Sequence, residues 1–230
     1  MMRRILLFVF LIGCSFNTSA EIGGDYLGAK YVSDPLGEAH APDTDPLIRF
    51  DAFDCTTFVE TSLAKGDVNR LNEIRYQGEK TDFIHRNHFI ETDWLKNNSN
   101  LVRNVSAHYA PTAVRTVTID KKNWFKVKHN TNTNFVSQTT ELEYIPYEHA
   151  KSIKVSEPVV VLFVINNPYI HDKIGTDLAI RHMGFLLPGG ILRHASRISG
   201  KVVDTNFDKY INRIMENQNN LGIMILEIKK

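Results

Sequence analysis

The amino-acid sequence predicts one α+β domain, in which helices come first along the chain and strands come later. Residues 54–76 carry apolar side chains at helical spacing, whereas the apolar residues after position 112 mostly follow the shorter period of strands. The run PVVVLFVI at residues 158–165 is typical of a strand that is buried on both faces. With 230 residues, 43% of them hydrophobic, the chain is long enough to bury a sizeable core.

The first half is predicted to be irregular at its start and helical afterwards. Residues 21–50 contain several glycine and proline residues, which disfavour long regular elements. The pattern then predicts a helix over residues 54–65 that is closed by Gly66. Asp67 is a good N-cap residue, and it predicts a second helix over residues 68–76.

The second half is predicted to consist mainly of strands. Two short apolar runs joined by Pro188-Gly189-Gly190 are typical of a hairpin, because such residues form tight loops. The predicted elements are strands at 114–119, 124–127, 158–165, 180–187, 191–196 and 221–228, and a helix at 207–214.

The first twenty residues predict export from the cytoplasm. A basic start precedes an apolar run of nine residues, which is too short to span a bilayer as a helix. Together with the small residues that end at Ala20, this pattern is typical of a cleaved signal peptide over 1–20. In a second interpretation, Leu11-Ile12-Gly13-Cys14 is a lipoprotein box and Cys14 carries a lipid anchor. The remaining residues, 21–230, are expected to form a single catalytic domain, either periplasmic or secreted.

Charge and cysteine content exclude several classes of protein. The formal net charge of +1, from 27 basic and 26 acidic side chains, disfavours a nucleic-acid partner. Two cysteines form neither a disulfide scaffold nor a four-cysteine zinc site, and no cofactor is expected. Once residues 1–20 are removed, Cys55 is the only free thiol, which is either a buried, inert side chain or a reactive group.

Cys55 and two histidines form the candidate catalytic group. If Asp54 caps the first helix, Cys55 is the first helical residue, where the helix dipole lowers the pKa of a thiol. A three-residue hairpin loop puts His182 and His194 on the same face of their strand pair, whereas a two-residue loop puts them on opposite faces. On the first register, His182 is a base for Cys55 and His194 orients the far ring nitrogen of His182.

Two other sets of polar residues each allow two interpretations. The first set is either a metal site or a solvated segment, and the second interpretation is favoured because no further ligand motif converges on it. It comprises His85, His88, Glu91 and Asp93, and no metal is expected. The second set contains either loop charges or substrate contacts, with loop charges favoured. It comprises Asp172, Asp177 and Arg181.

Five blocks of this sequence together resemble one family. They are Leu27-Gly28-Ala29-Lys30-Tyr31, Phe53-Asp54-Cys55-Thr56-Thr57-Phe58-Val59-Glu60, Arg86-Asn87-His88-Phe89 to Asp93-Trp94, His182-Met183-Gly184-Phe185 and His194-Ala195-Ser196. The blocks resemble the NlpC-type papain-like cysteine peptidases of bacterial cell-wall turnover, and more closely their N-acetylmuramoyl-L-alanine amidase branch. The resemblance spans about residues 26 to 228. It implies a papain-like fold, in which a helix with the catalytic cysteine at its N-terminus packs on an antiparallel β-sheet that carries the histidine pair.

The resemblance also implies a role for individual residues. Cys55 matches the family's nucleophile, His182 its base and His194 its third polar residue. The Tyr31 side chain and the backbone N–H of Cys55 match the groups that stabilise the oxyanion. Substrate contacts are implied for Asp54, Thr56, Arg86 and Asn87.

Two positions and one segment depart from the general family pattern. Lys30 and Thr56 stand where the family has proline and serine, and only the threonine is typical of the amidase branch. The segment between Cys55 and His182 is much longer than in the general fold, so the resemblance implies a large insertion there.

The implied activity is hydrolysis of the amide bond between N-acetylmuramic acid and L-alanine. The expected partners are therefore peptidoglycan fragments, and the substrate is either the intact wall or soluble anhydro-muropeptides. Two alternatives stay open: a γ-D-glutamyl–diaminopimelate endopeptidase, and a non-catalytic cell-wall-binding protein of the same fold.

Overall fold

The structure, a computed structural model, describes residues 22–78, 80–151 and 153–230. The predicted signal peptide and Cys14 lie outside the described residues. Among the helices that are described, none is both long enough and apolar enough to cross a membrane.

The described residues form seven α-helices and ten strands. The helices are α1 (Cys55–Leu63), α2 (Val68–Arg75), α3 (Leu95–Asn97), α4 (Lys121–His129), α5 (Tyr147–Ala150), α6 (Pro168–Ile174) and α7 (Phe207–Ile214). The strands are β1 (Lys30–Tyr31), β2 (Ala52–Phe53), β3 (Val102–Asn104), β4 (Ala113–Ile119), β5 (Gln138–Pro146), β6 (Val159–Ile165), β7 (Ile180–Leu187), β8 (Ile191–Ser196), β9 (Lys201–Asn206) and β10 (Asn220–Ile228).

One large sheet contains the described strands. Its order is β2-β1-β9-β8-β7-β6-β10-β5-β4, and β3 pairs with β10 beside this path. The short pair of β1 and β2 is parallel, and the other pairs are antiparallel. A mostly antiparallel sheet with helices packed on it agrees with the predicted α+β class.

Strand β6 is buried along its whole length, as the sequence predicts. Val160, Leu162 and Val164 contribute to a core on one face of the sheet, which also contains Phe58 of α1. The intervening residues of β6 contribute to a second core, which contains Phe207 of α7. Helices on both faces therefore remove the strand from water, which explains its unbroken apolar run.

The caps of the first two helices are confirmed. The Asp54 carboxylate accepts the Thr57 backbone N–H at 2.8 Å, and the Thr57 hydroxyl oxygen accepts the Asp54 backbone N–H at 3.0 Å. Asp67 accepts the Arg70 backbone N–H at 2.9 Å. These contacts satisfy N–H groups at the helix starts that have no partner inside the helix. Cys55 is accordingly the first residue of α1.

The register of the hairpin is also confirmed. Phe185 pairs with Arg193, Leu186 with Leu192, and Leu187 with Ile191, which leaves a three-residue loop. This is the register that puts His182 and His194 on one face of the strand pair.

One predicted strand is wrong. Residues 124–127 lie inside α4. The Asp120 carboxylate caps the start of this helix by accepting the Asn123 backbone N–H at 2.8 Å. Phe125 is fully buried against other aromatic rings, whereas Val127 is exposed. Strand β4 pairs instead with β5. The apolar pattern does not predict β5, because many of its residues are polar and exposed.

Candidate active site

Cys55 lies where the start of α1 meets the sheet. It has no disulfide partner. The Cys55 thiol is hydrogen-bonded to the backbone of Met183, which is the residue after His182 on β7. The cap at Asp54 and the packing of α1 against β7 thus bring the thiol beside the strand that carries the first histidine.

His182 and His194 are hydrogen-bonded to each other. The distance from Nε2 of His182 to Nδ1 of His194 is 2.7 Å. Gly184 allows this approach, since a Cβ atom there would lie 2.8 Å from the Arg193 carbonyl oxygen and 2.9 Å from the His194 Cβ. Atoms do not approach that closely without displacement of the backbone, so any larger residue would push the two strands apart.

One tautomer of the histidine pair leaves a lone pair free on His182. Nε2 of His194 lies 3.4 Å from the Thr205 hydroxyl on β9. If Nε2–H donates to Thr205, Nδ1 of His194 accepts the N–H of His182, and Nδ1 of His182 keeps a free lone pair. A base needs that lone pair.

Tyr210 on α7 packs against both histidines. Its ring centroid lies 6.2 Å from that of His182 and 5.2 Å from that of His194. In the sequence, Tyr210 lies within the predicted helix at 207–214, and Thr205 lies in no predicted element. No local pattern identifies either residue, because both reach the pair through strand and helix packing.

One cavity brings the principal candidates together. It has a volume of about 390 Å³, and Tyr31, Cys55, His182, His194 and Tyr210 line it. Tyr31 is held there by the parallel pairing of β1 with β2, in which Tyr31 pairs with Phe53, two residues before Cys55. Burial, followed by the charges of Cys55 and Asp54, raises the pKa of Tyr31, so its phenol keeps the proton that a hydrogen-bond donor needs.

The expected lowering of the Cys55 pKa is wrong for this structure. Burial, followed by the charge of the Asp54 carboxylate, raises the pKa of Cys55 to about 12. Burial and the charge of His194 lower the pKa of His182 to about 3, and burial lowers the pKa of His194 to about 4. Desolvation of the charged forms outweighs the helix dipole, so the group rests as a neutral thiol beside neutral imidazoles.

The residues with implied substrate contacts line a second cavity of about 250 Å³. Asp54 and Thr56, which flank Cys55, are among its lining residues. Arg86 is buried there and donates to Glu38 at 2.8 Å and to Asp43 at 2.6 Å. Asn87 also lines the cavity, but its side chain donates to the Ile74 carbonyl oxygen at 2.8 Å. Arg86 and Asn87 therefore hold the wall of the cavity, and substrate contacts for all four residues stay a prediction.

The four residues considered as a metal site each have a separate partner. His85 contacts Asp82, and His88 contacts the Phe83 carbonyl oxygen. Glu91 accepts the N–H groups of Ala179 and Ile180, and Asp93 pairs with Lys121 at 2.8 Å. Across the described residues no three His, Cys, Asp or Glu side chains are grouped so that they could hold a metal ion.

The charged residues before His182 differ in their surroundings. Asp177 accepts the Thr118 backbone N–H at 3.0 Å, as expected of a loop charge. Arg181 differs, because it lines the same cavity as Cys55 and His182.

Solved structures with a similar fold include proteins of three bacteria. A protein of Legionella pneumophila str. Philadelphia 1 has a TM-score of 0.83 at 24% identity, covering 92% of this chain and 88% of that one. An N-acetylmuramoyl-L-alanine amidase of Bacteroides uniformis has a TM-score of 0.71 at 22% identity, covering 92% and 98%. A putative xylanase of Bacteroides fragilis has a TM-score of 0.70 at 23% identity, covering 90% and 98%. At these identities the likeness shows the fold alone.

No curated protein matches the chain. The model of one family, described as AmiA-like, N-acetylmuramoyl-L-alanine amidase-like, matches residues 21–218. This match includes the start of α1, the hairpin and the second cavity. The chain therefore belongs to the AmiA-like family of N-acetylmuramoyl-L-alanine amidase-like proteins.

Proposed function

We propose that this protein is an exported cysteine amidase that hydrolyses the bond between N-acetylmuramic acid and L-alanine in peptidoglycan or anhydro-muropeptides. The observation that carries the proposal is the 2.7 Å contact between His182 and His194, in one cavity with Cys55 and Tyr31. A nucleophile, a base and a positioning group within one cavity are the requirements of covalent amide hydrolysis. Membership of an amidase-like family supports the choice of bond.

The first step is attack of the Cys55 sulfur on the amide carbonyl carbon. Because burial favours the neutral thiol, the proton passes to Nδ1 of His182 as the carbon–sulfur bond forms. His194 is a positioning residue, which holds the His182 ring through Nε2 and stabilises the imidazolium. The Cys55 backbone N–H and the Tyr31 hydroxyl donate to the oxyanion.

The second step breaks the carbon–nitrogen bond and then releases the acyl group. His182 returns its proton to the leaving amine of L-alanine, which leaves the muramoyl group as a thioester on Cys55. Water then attacks the thioester carbonyl while His182 accepts a proton from it. Breakdown of this second intermediate releases N-acetylmuramic acid with a free carboxyl group and regenerates the Cys55 thiol.

The proposal extends to fold family and location. We propose that the fold is papain-like and of the NlpC type, with residues 21–230 as one catalytic domain. The basic start and short apolar run support a signal peptide over 1–20, hence a periplasmic or secreted enzyme. A lipid anchor at Cys14 is the alternative.

Digestion of purified muropeptides, read by mass spectrometry, tests the proposed activity. We expect release of the sugar and an intact stem peptide, and no release by Cys55→Ala that is folded as judged by circular dichroism. A cut within the stem would indicate the γ-D-glutamyl–diaminopimelate endopeptidase. Binding without any cleavage, by wild type and Cys55→Ala alike, would indicate a wall-binding protein.

A further inference from the structure

Three arginines line the cavity that contains Cys55 and His182. They are Arg181, Arg197 and Arg213, and no aspartate or glutamate is among the lining residues of this cavity. We refer to it as the arginine cavity. All three side chains are exposed, and none takes part in the ion pairs of the described residues.

Each arginine reaches the cavity from a different element. A register shift between β6 and β7 pairs Phe163 with His182 but Val164 with Ile180, so Arg181 is the extra residue of a bulge. In a regular strand, Arg181 and His182 would point to opposite faces, whereas here both line one cavity. Arg213 extends from α7, where its guanidinium lies 5.2 Å from the centroid of the Tyr210 ring.

Arg197 follows the end of β8. Its charge acts on Tyr31, while the charge of Arg181 acts on His182 and that of Arg213 on His194. Each of the three cations is therefore close enough to a candidate catalytic residue to affect the pKa of that residue.

The second cavity, beyond Asp54 and Thr56, differs in charge. Its two arginines are already neutralised, because Arg86 pairs with Glu38 at 2.7 Å and Arg75 lies 3.5 Å from Glu60. It is also lined by the aromatic ring of Trp124. Of the two cavities that flank the Cys55 segment, the arginine cavity is the one that offers unpaired positive charge.

The chemistry of the proposed reaction indicates which half of the substrate each cavity receives. His182 must be within hydrogen-bond distance of the leaving amine in order to protonate it. The leaving group therefore lies on the His182 side of Cys55, which is the arginine cavity. The acyl half, a neutral sugar with its lactyl group, then extends toward the second cavity.

We propose that the arginine cavity is a carboxylate-binding subsite for the leaving peptide, and that it makes the protein selective for acidic stem peptides. This inference rests on the proposed amidase function. A γ-linked glutamate keeps its α-carboxylate free, and diaminopimelate has further carboxylates, so the leaving stem is an anion. Guanidinium groups bind carboxylates through charge-assisted, often bidentate hydrogen bonds.

Two matched substrates test the proposal. One is a muropeptide with free stem carboxylates, and the other is the same muropeptide with those groups converted to neutral carboxamides. We expect wild type to hydrolyse the carboxylate form with a kcat/KM roughly tenfold or more above that of the carboxamide form. Arg181→Gln, Arg197→Gln and Arg213→Gln should each reduce this preference, mainly through KM on the carboxylate form.

The control is Arg103→Gln, which removes an exposed arginine of β3 that is paired with Glu227 of β10 and does not line the arginine cavity. It should keep the wild-type preference. Equal reduction of both substrates by the three cavity variants would overturn the proposal, since a loss of folding or of catalysis does not depend on substrate charge. So would a wild type without preference between the substrates.

A binding measurement separates this proposal from the proposed function. Folded Cys55→Ala is titrated with the tripeptide L-alanyl-γ-D-glutamyl-diaminopimelate and with its carboxamide form by calorimetry. We expect tighter binding of the carboxylate form, weakened by salt and by Arg181→Gln. If wild type cleaves muropeptides but neither peptide binds preferentially, the subsite is wrong and the amidase stands. If no muropeptide is cleaved, the proposed amidase function is wrong, and the binding preference still tests the carboxylate-binding subsite by itself.

Discussion

Two features act on His182: burial keeps its ring neutral, and the hydrogen bond to His194 keeps that ring in one orientation. The first effect preserves the lone pair that accepts the thiol proton, and the second stabilises the imidazolium that results. Neither effect needs a thiolate in the resting protein. Proton transfer and attack are therefore coupled in the proposed mechanism, because the neutral Cys55 thiol is the starting state.

Replacing His194 should affect kcat far more than KM. His194→Ala removes the group that orients His182, and we expect kcat to fall roughly 100-fold or more. His194→Asn should keep more activity, since an amide oxygen still accepts the His182 N–H. Steady-state kinetics on a muropeptide measure both. The matched control is His149→Ala at an exposed histidine, and wild-type kcat in His194→Ala would contradict the assignment.

The acid limb of the pH profile should lie well below the usual histidine range. The pKa of His182 is about 3 and that of His194 about 4, so both rings stay neutral as pH falls through 6.5. We expect kcat/KM to remain near its maximum down to about pH 5. An acid limb centred near 6.5, the ordinary value for histidine, would show that the base is solvated rather than buried.

The same shifts have a consequence for stability. In the unfolded chain these histidines bind protons below pH 6.5, whereas in the folded protein they stay neutral until the pH falls to about 3 to 4. Their contribution to the free energy of unfolding is therefore present above 6.5 and is lost as pH falls toward the folded values. Thermal melts over this range measure the loss, and His182→Ala should reduce the slope.

At the scale of elements, the cap of α1 both positions Cys55 and opposes its ionisation. Asp54→Asn keeps a capping side chain but removes the charge, whereas Asp54→Ala removes both. We expect Asp54→Ala to lose about 1 kcal/mol of stability and Asp54→Asn much less. Both variants should lower the pH at which iodoacetamide alkylates Cys55 in the folded protein, because the Asp54 charge raises the pKa of this thiol. An alkylation profile unchanged in Asp54→Asn would contradict this.

Gly184 determines how closely the two histidine-bearing strands approach. Gly184→Ala places a methyl group 2.8 Å from the Arg193 carbonyl oxygen, so β8 must shift. We expect a loss of roughly 1–3 kcal/mol in denaturant unfolding, together with a fall in kcat. Gly24→Ala is the milder comparison, since its added methyl meets a single atom within 4 Å, the Arg193 Nη1 at 3.2 Å. Wild-type kcat and stability in Gly184→Ala would show that the strand pair tolerates a wider spacing.

At the scale of the whole molecule, buried ion pairs attach the segment after α2 to the chain before α1. Arg86 joins Glu38 and Asp43, and Tyr76 donates to Glu38 at 2.9 Å. The Glu38 side chain is fully buried, so it depends on these partners for its charge. The long segment between Cys55 and His182 thus forms the wall of the second cavity as part of one fold.

Removing Arg86 should lower the stability of the folded protein. We expect Arg86→Ala to lose about 3–5 kcal/mol of stability, because Glu38 is left buried without its partner. Arg49→Ala is the matched control, since its pair with Asp51 is exposed to solvent and its loss should leave the stability nearly unchanged. Denaturant unfolding measures both. A stable Arg86→Ala whose only defect is a raised KM would instead make Arg86 a substrate contact.

Local patterns were sufficient for the parts of the site that depend on neighbouring residues. Asp54 caps α1 through Thr57, three positions along, so the helix start is visible in the sequence. The loop between β7 and β8 left two registers open, and the structure has the three-residue one, on which His182 and His194 share a face. By contrast, α4 was predicted as a strand, since its short apolar run fits either period.

By itself the sequence determined the α+β class, the helix that begins at Cys55 and the buried strand β6, and it placed His182 and His194 on the two strands of one hairpin. Only the tertiary structure decided which distant residues surround them. Thr205, Tyr210, Arg197 and Arg213 reach the cavity through sheet order and helix packing, which no short-range pattern encodes. It also decided the charge state of Cys55, because desolvation depends on everything packed around a group, whereas a helix start depends only on the residues next to it.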